Sequence, residues 1–169
     1  MEDFVVVSSV ANNPTQEPMD ATLSAAEWHT CKQFYPQLQR GKVIKVYDGD
    51  TITVAAFAHS HVFSPPEVFR FAVRLLGIDA PEKSTHHAEE KRLALESQAA
   101  LSNLIMNKIV RLHTHGVDKY GRLLCDVFVD NSENGLGEGE THLNEWMLAS
   151  KYAVAYDGGT KHRPSEWEA

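Results

Sequence analysis

Positive charge is what this 169-residue sequence is short of: 16 lysines and arginines stand against 23 aspartates and glutamates, a formal net charge of -7. That balance argues against a protein that holds nucleic acid over a broad basic surface. It leaves room for local positive charge at a single reacting phosphate, and a site that gathers carboxylates around a metal adds acid of its own. Cysteine is equally scarce. Cys31 and Cys125 lie far apart and give no framework of paired spacings, which argues for a reducing compartment over a disulfide-stapled secreted scaffold. No apolar run approaches membrane-spanning length. Val5, Val6 and Val7 are apolar, but Glu2 and Asp3 sit where a signal peptide carries its basic residues. An intracellular, cytoplasmic protein without a membrane partner is the expectation.

What is present is the composition of a globular chain, long enough for one domain with a real core. Residues 1–40 read as an extension, partly disordered because Asn12, Asn13, Pro14, Thr15 and Pro18 break regular structure. Within it a short helix is predicted over 20–34, with Leu23, Ala26 or Trp28, and Phe34 as apolar contacts. The body runs over 41–161, and 162–169 form a tail. Val43, Ile44 and Val46, then Thr51, Ile52, Thr53 and Val54, are β-branched runs around the bend Asp48-Gly49-Asp50, so two strands are expected. A third, longer strand is read over 68–78. From 88 to 107 the residues Leu93, Ala94, Ala100, Leu101, Leu104 and Ile105 share one helical face, with Glu89, Glu90, Lys91 and Glu96 elsewhere. Strands over 109–113 and 123–129 follow, then a glycine-rich loop over 131–140. A closing helix over 142–150 turns Leu143, Trp146 and Met147 inward. This order predicts an α+β, mainly β fold: a five-stranded OB-fold-type β-barrel with an inserted helix after the third strand and a C-terminal helix.

Three strings carry the chemistry: Asp48-Gly49-Asp50-Thr51, the run from Arg74 through Asp79-Ala80-Pro81 to Glu82, and Asp118-Lys119-Tyr120-Gly121-Arg122. Asp50 at a bend and Asp79 at a strand end can leave the core and converge. Two carboxylates with a backbone carbonyl make a hard-oxygen site suited to Ca²⁺ or Mg²⁺. Ala80 precedes a proline and is biased to an extended shape that can turn its carbonyl toward the same ion. Glu82 is placed to hold a water as base or orienter. Arg74 and Arg122 offer planar forks for phosphate oxygens. Each residue alone has a bland explanation as a turn, a strand end or a surface pair; the order of the strings does not.

In that order, around that pattern of strands, the strings resemble the staphylococcal nuclease (thermonuclease) family over roughly residues 41–161. The resemblance implies a Ca²⁺-dependent nuclease, with Mg²⁺ the lesser candidate. Asp50, Asp79 and the Ala80 carbonyl would bind the metal, with Asp48 and Thr51 in support. Glu82 would be the base or water-orienting group, Arg74 and Arg122 would stabilise the transition state, and Lys119, Tyr120 and Tyr156 would sit around a terminal phosphate or nucleotide. It further implies a DNA or RNA substrate, cleavage of the bond to the 5′ oxygen and 3′-phosphate ends. A channel that must reach the backbone favours single-stranded or unwound substrate, and a monomer is expected. The sequence departs from the compact bacterial enzyme in a longer connection over 55–68, a longer loop over 131–141, and its acidic balance.

Two rival classes compete. A catalytically silent binding module of the same shape would have no need to keep the acidic and arginine set. A metal-binding structural domain would use the H-x-H pairs His59/His61 and His113/His115, since alternate residues of a strand share a face. No cysteine or second pair lies beside either in sequence, so both are read as solvated residues of a loop and a strand end.

Overall fold

The computed structural model describes residues 16–57, 67–132, 135, 137–159 and 164–167, and the chain divides into two units, Met1–Phe34 and Tyr35–Ala169. In the first, helix α1 spans Gln16–Ser24, earlier than the 20–34 predicted. Pro18 falls in its first turn, where a missing backbone N–H breaks no intrahelical bond. Past Ser24 the chain turns instead of continuing: the Thr30 hydroxyl accepts from the Glu27 N–H and donates to the Glu27 carbonyl, a local bond that competes with the helix. Leu23, Trp28 and Phe34, read as apolar contacts, are exposed.

The second unit holds strands β1 (Arg40–Val46), β2 (Thr51–Phe57), β3 (Val68–Leu75) and β4 (Ile78–Asp79), helix α2 (Ala88–Ile105), strands β5 (Ile109–Val117), β6 (Leu123–Asp130) and β7 (Glu140–His142), helix α3 (Leu143–Ala149) and strand β8 (Val154–Ala155). The sheet order is β3-β2-β1-β5-β6-β7, and a parallel pairing of β3 with β6 joins the ends. β1, β2, β3, β5 and β6 thereby close into the expected five-stranded barrel, with α2 inserted and α3 C-terminal. Closure leaves none of the five with a free edge along the joined stretch, which removes the template for aggregation. β6 alternates inward Leu123, Cys125, Val127 and Val129 with outward Leu124, Asp126, Phe128 and Asp130, the period-2 pattern of a half-buried strand. The core is filled by fully buried Ile52, Val54, Val73, Leu75, Leu101, Val110, Leu143 and Met147 among others. Each large aliphatic side chain so buried contributes about 1.5–3 kcal/mol relative to exposure.

Two readings of the sequence need correction, and both bear on the site. The single strand read over 68–78 is two. Gly77 adopts φ +79°, which only glycine takes without cost, and the chain turns there. β4 then pairs with β8, not with the continuation of β3. On α2 the fully buried residues are Glu90, Ala94, Ser97, Leu101 and Ile105, so an acid and a hydroxyl occupy the face read as wholly apolar. At the C-terminal end Ser165–Trp167 forms a 3-10 turn and Trp167 is buried.

Candidate active site

The bend at Gly77 folds Asp79 back beside Arg74, five residues earlier. Arg74 Nη2 donates to the Ile78 carbonyl at 3.2 Å and to Asp79 Oδ1 at 2.9 Å. Its Nη1 lies 2.7 Å from Asp50 Oδ2. Asp50 and Asp79 are 3% and 5% exposed, and Arg74 is 7% exposed. Burial alone would push the guanidinium toward losing its proton, but Asp50 and Asp79 outweigh it and hold the Arg74 pKa above its ordinary value. A pair of buried carboxylates therefore shares one buried cation.

Register explains why Arg74 can be buried at all. It sits where the barrel closes, with Thr51 of β2 opposite it on one side and Leu124 of β6 on the other. Asp50 lies at the mouth of the β1–β2 hairpin, and its second oxygen, Oδ1, accepts from the Thr51 hydroxyl at 2.7 Å. The Ala80 N–H donates to Asp50 Oδ2 at 3.1 Å, which ties the chain after β4 to the hairpin. Asp48 accepts from the Asp50 N–H at 3.4 Å. Burial, then the neighbouring Asp50 carboxylate, push its pKa up to about 6.

Arg122 belongs to a different support. In the turn between β5 and β6, Asp118 Oδ1 accepts from the backbone N–H of both Tyr120 and Arg122, each at 2.9 Å. Its Oδ2 accepts from Arg122 Nε at 2.6 Å. Burial works against the Asp118 charge, yet these bonds outweigh it and leave its pKa below the usual carboxylate range. Arg122 Nη1 also reaches the Thr51 hydroxyl at 3.3 Å. Arg122, Thr51, Asp50 and Arg74 thus form a chain of polar contacts across the barrel end.

A cleft of about 790 Å³ opens over this chain, and Arg74, Arg122, Lys119, Tyr120 and Tyr156 all line it. The Arg74 guanidinium lies 5.7 Å from the Tyr156 ring, while Lys119 and Arg122 lie 5.1 and 5.4 Å from the exposed Tyr120 ring. Aromatic faces beside cations suit bases and phosphates together. Asp48, Asp50 and Asp79, with Thr51 and Ala80, are not part of that lining. Glu82 also stands apart from it. It is exposed, on the segment leading to α2, and does not line the cleft; its backbone N–H donates to Glu90 Oε1 at 3.3 Å.

The supporting roles of four residues escaped the sequence reading, although two of them, Gly49 and Asp118, stand within its strings. Asp118, which organises the Arg122 turn, had a signal: an aspartate opening a turn that ends in Gly121. Gly49 is required by close approach, since a Cβ there would lie 2.8 Å from Ala80 Cβ and 2.9 Å from Ser97 Cβ, neither of which can swing away. Buried Glu90 fixes the Glu82 backbone. Asn144 Nδ2 donates to the Leu76 and Cys125 carbonyls while its Oδ1 accepts from the Val127 N–H, pinning the bend before β4 to β6. The last three depend on contacts distant in sequence, which no local pattern displays.

A closed five-stranded barrel with paired buried carboxylates and two arginines at one end defines the class. Comparison with protein families matches residues 72–168 to the staphylococcal nuclease homologue family, and the chain belongs to that family. The matched stretch includes Arg74, Asp79, Glu82, Lys119, Arg122 and Tyr156; Asp48, Asp50 and Thr51 precede it. Among curated relatives, "Probable staphylococcal-like nuclease CAN4" of Oryza sativa subsp. japonica is 34% identical over 101 residues, covering 59% of this chain and 17% of that protein. "Uncharacterized endonuclease" of Haemophilus influenzae is 36% identical over 87 residues, covering 52% and 40%. "Protein ParB" of Escherichia coli is 32% identical over 117 residues, covering 69% and 57%. This chain spans less than two thirds of the length of each.

Proposed function

We propose that this chain is a Ca²⁺-dependent nuclease that hydrolyses phosphodiester bonds of DNA or RNA. The observation that carries the reading is the Arg74 guanidinium held by two buried carboxylates at the wall of a cleft that Arg122 also lines. The donor set fits a hard divalent cation. Asp50 and Asp79 already converge on one positive charge, and carboxylate and carbonyl oxygens are the ligands Ca²⁺ takes. Asp50, Asp79 and the Ala80 carbonyl would hold the ion, which when bound polarises a phosphate oxygen as a Lewis acid. Asp48 and Thr51 fix the Asp50 carboxylate through the bonds described.

The remaining work falls to the chain's own groups. Glu82 holds the attacking water and takes its proton. Arg74 and Arg122 donate to the equatorial oxygens as negative charge builds on them, the role for which a planar fork is suited. Lys119, Tyr120 and Tyr156 hold the neighbouring phosphate and base along the cleft. Breakage of the bond to the 5′ oxygen leaves a 3′-phosphate, and an unpaired strand enters such a cleft more readily than a duplex.

The test is digestion of single-stranded DNA, duplex DNA and RNA with Ca²⁺, with Mg²⁺ and with a chelator, beside Glu82→Gln and Arg122→Ala. Cleavage that requires Ca²⁺, leaves 3′-phosphate ends and falls about 10²–10³-fold in each variant is the expected result. A folded wild type that retards nucleic acid but cuts none of the substrates would replace the enzyme reading with that of a binding module.

A further inference from the structure

The outer face of β5 and β6 carries a second cluster of metal-ligating groups, on the opposite face of these strands from the barrel core. His113 and Asp126 are cross-strand partners, and the ladder slips by one residue between Thr114 and Gly116, at His115. Such an irregularity re-aims a side chain, and the His115 ring comes to 4.3 Å from that of His113. His115 Nε2 lies 2.7 Å from Asp126 Oδ2, and His113 Nδ1 lies 3.9 Å from the same oxygen. One ligand atom from each of the three falls within 4.8 Å of the others. From the end of β7, His142 Nε2 approaches the other oxygen, Asp126 Oδ1, at 3.4 Å.

The ion pairs of Asp126 among the described residues are all with imidazoles. Of the three ring nitrogens facing the carboxylate, only His115 Nε2 makes a hydrogen bond among the described residues. His142 Nε2 is buried from solvent and makes none, while Nδ1 of the same ring lies 3.2 Å from Glu145 Oε1. In the tautomer that carries its proton on Nδ1, toward Glu145, the Nε2 lone pair faces Asp126 Oδ1 and can ligate a cation together with it. The carboxylate–histidine–metal arrangement has that form. Ligand atoms around one tetrahedral zinc at about 2.0–2.1 Å stand about 3.3–3.4 Å apart; the three His–Asp126 separations here run from 2.7 to 3.9 Å, and the ligand atoms of His113, His115 and Asp126 all fall within 4.8 Å of one another.

We propose that His113, His115 and Asp126, with His142 at the second carboxylate oxygen, bind a divalent transition-metal ion, zinc by their ligand chemistry. Imidazole nitrogens select zinc over calcium, so this site differs chemically from the all-oxygen set of Asp50, Asp79 and the Ala80 carbonyl. The sequence reading set the His113/His115 pair aside for lack of partners; the partners come from the adjacent strand β6 and the end of β7. His59 and His61 lie outside the described residues. An ion here clamps β5, β6 and the β7–α3 junction together, midway along the hairpin whose tip holds Asp118 and Arg122.

Chelator-stripped full-length protein is titrated calorimetrically with ZnCl₂ and separately with CaCl₂, with Co²⁺ absorption as a second readout. One zinc per chain is expected, with a tetrahedral Co²⁺ spectrum and a Tm rise of about 5–10 °C at a hundredfold excess over Kd. His113→Ala, an exposed change that keeps the fold, weakens binding by about 100-fold or more, and Glu145→Gln by about tenfold. His59→Ala/His61→Ala leaves the stoichiometry and affinity unchanged. Absence of zinc binding to the wild type, or undiminished binding by His113→Ala, would overturn the proposal and leave the cluster a set of surface ion pairs.

Discussion

Arg74 and Arg122 face one cleft, yet the protein holds them by opposite means. Arg74 is sealed where β3 meets β6, and each of its terminal nitrogens contacts one of the carboxylates Asp50 and Asp79. Arg122 stands on a turn, about a quarter of its side chain exposed, with one carboxylate and one hydroxyl as partners. The first support depends on long-range strand pairing and on burial. The second is assembled within five residues by Asp118. Two guanidiniums of the same charge therefore differ in what their loss would do: Arg74 is part of what keeps the barrel end folded, whereas Arg122 belongs mainly to the wall of the cleft.

The largest effect in the molecule should come from removing the buried cation. Arg74→Ala leaves two carboxylates facing each other with no compensating charge, and breaking a buried pair in this way costs about 3–5 kcal/mol. Urea denaturation should show that loss, and Ca²⁺ should raise the midpoint of the variant more than that of the wild type, since an ion between Asp50 and Asp79 restores the missing charge. Arg122→Ala should change stability by no more than about 1 kcal/mol. Equal destabilisation of the two variants would collapse the distinction between them.

The same contrast governs what the sequence displayed. The Arg122 turn was readable because its parts are adjacent, and even the overlooked Asp118 stands within the string. The barrel was readable from runs of β-branched residues and their order, since period and turn residues are local properties. Arg74, Asp50 and Asp79 could be singled out, but their mutual bonding could not: it depends on the bend at Gly77, where a glycine inside an apolar run was read through as strand. Glu82 shows the limit in reverse. Three residues from Asp79 in sequence, it stands exposed, while Glu90, assigned to a solvent face of α2, is buried and holds the Glu82 backbone. Spacing sets proximity along the chain and leaves direction to packing.

A smaller effect, and one with a pH signature, belongs to Asp118. Its folded pKa is depressed, so the stability it contributes is fully present above the unfolded carboxylate pKa of about 3.9 and is lost as pH falls through the lower folded value. Asp118→Asn should therefore be less stable than wild type by about 1 kcal/mol at pH 7, and the two should converge as the pH drops below about 4. Denaturation midpoints at a series of pH values measure this directly. A gap that stays constant down to pH 2 would mean that Asp118 acts through its turn geometry and not through its charge.

The smallest effect marks the solvent-exposed end of the comparison. Arg111 pairs with Glu140 across the barrel surface, both side chains more than two-fifths exposed, and its guanidinium lies 3.9 Å from the Phe128 ring. Water and salt compete fully for such a pair, so Glu140→Gln should cost no more than about 0.5 kcal/mol. That difference should vanish in 1 M salt, where screening acts within about 3 Å. Arg111→Ala removes the ring contact as well, adding about 0.5–1 kcal/mol through a short-range contact that salt screens poorly. A deficit for Arg111→Ala that persists in high salt, beside a Glu140→Gln deficit that does not, would separate the stacking of this cation from its pairing. If both deficits vanished together, the ring contact would carry no weight, and exposure alone would set the strength of an arginine's hold on this barrel.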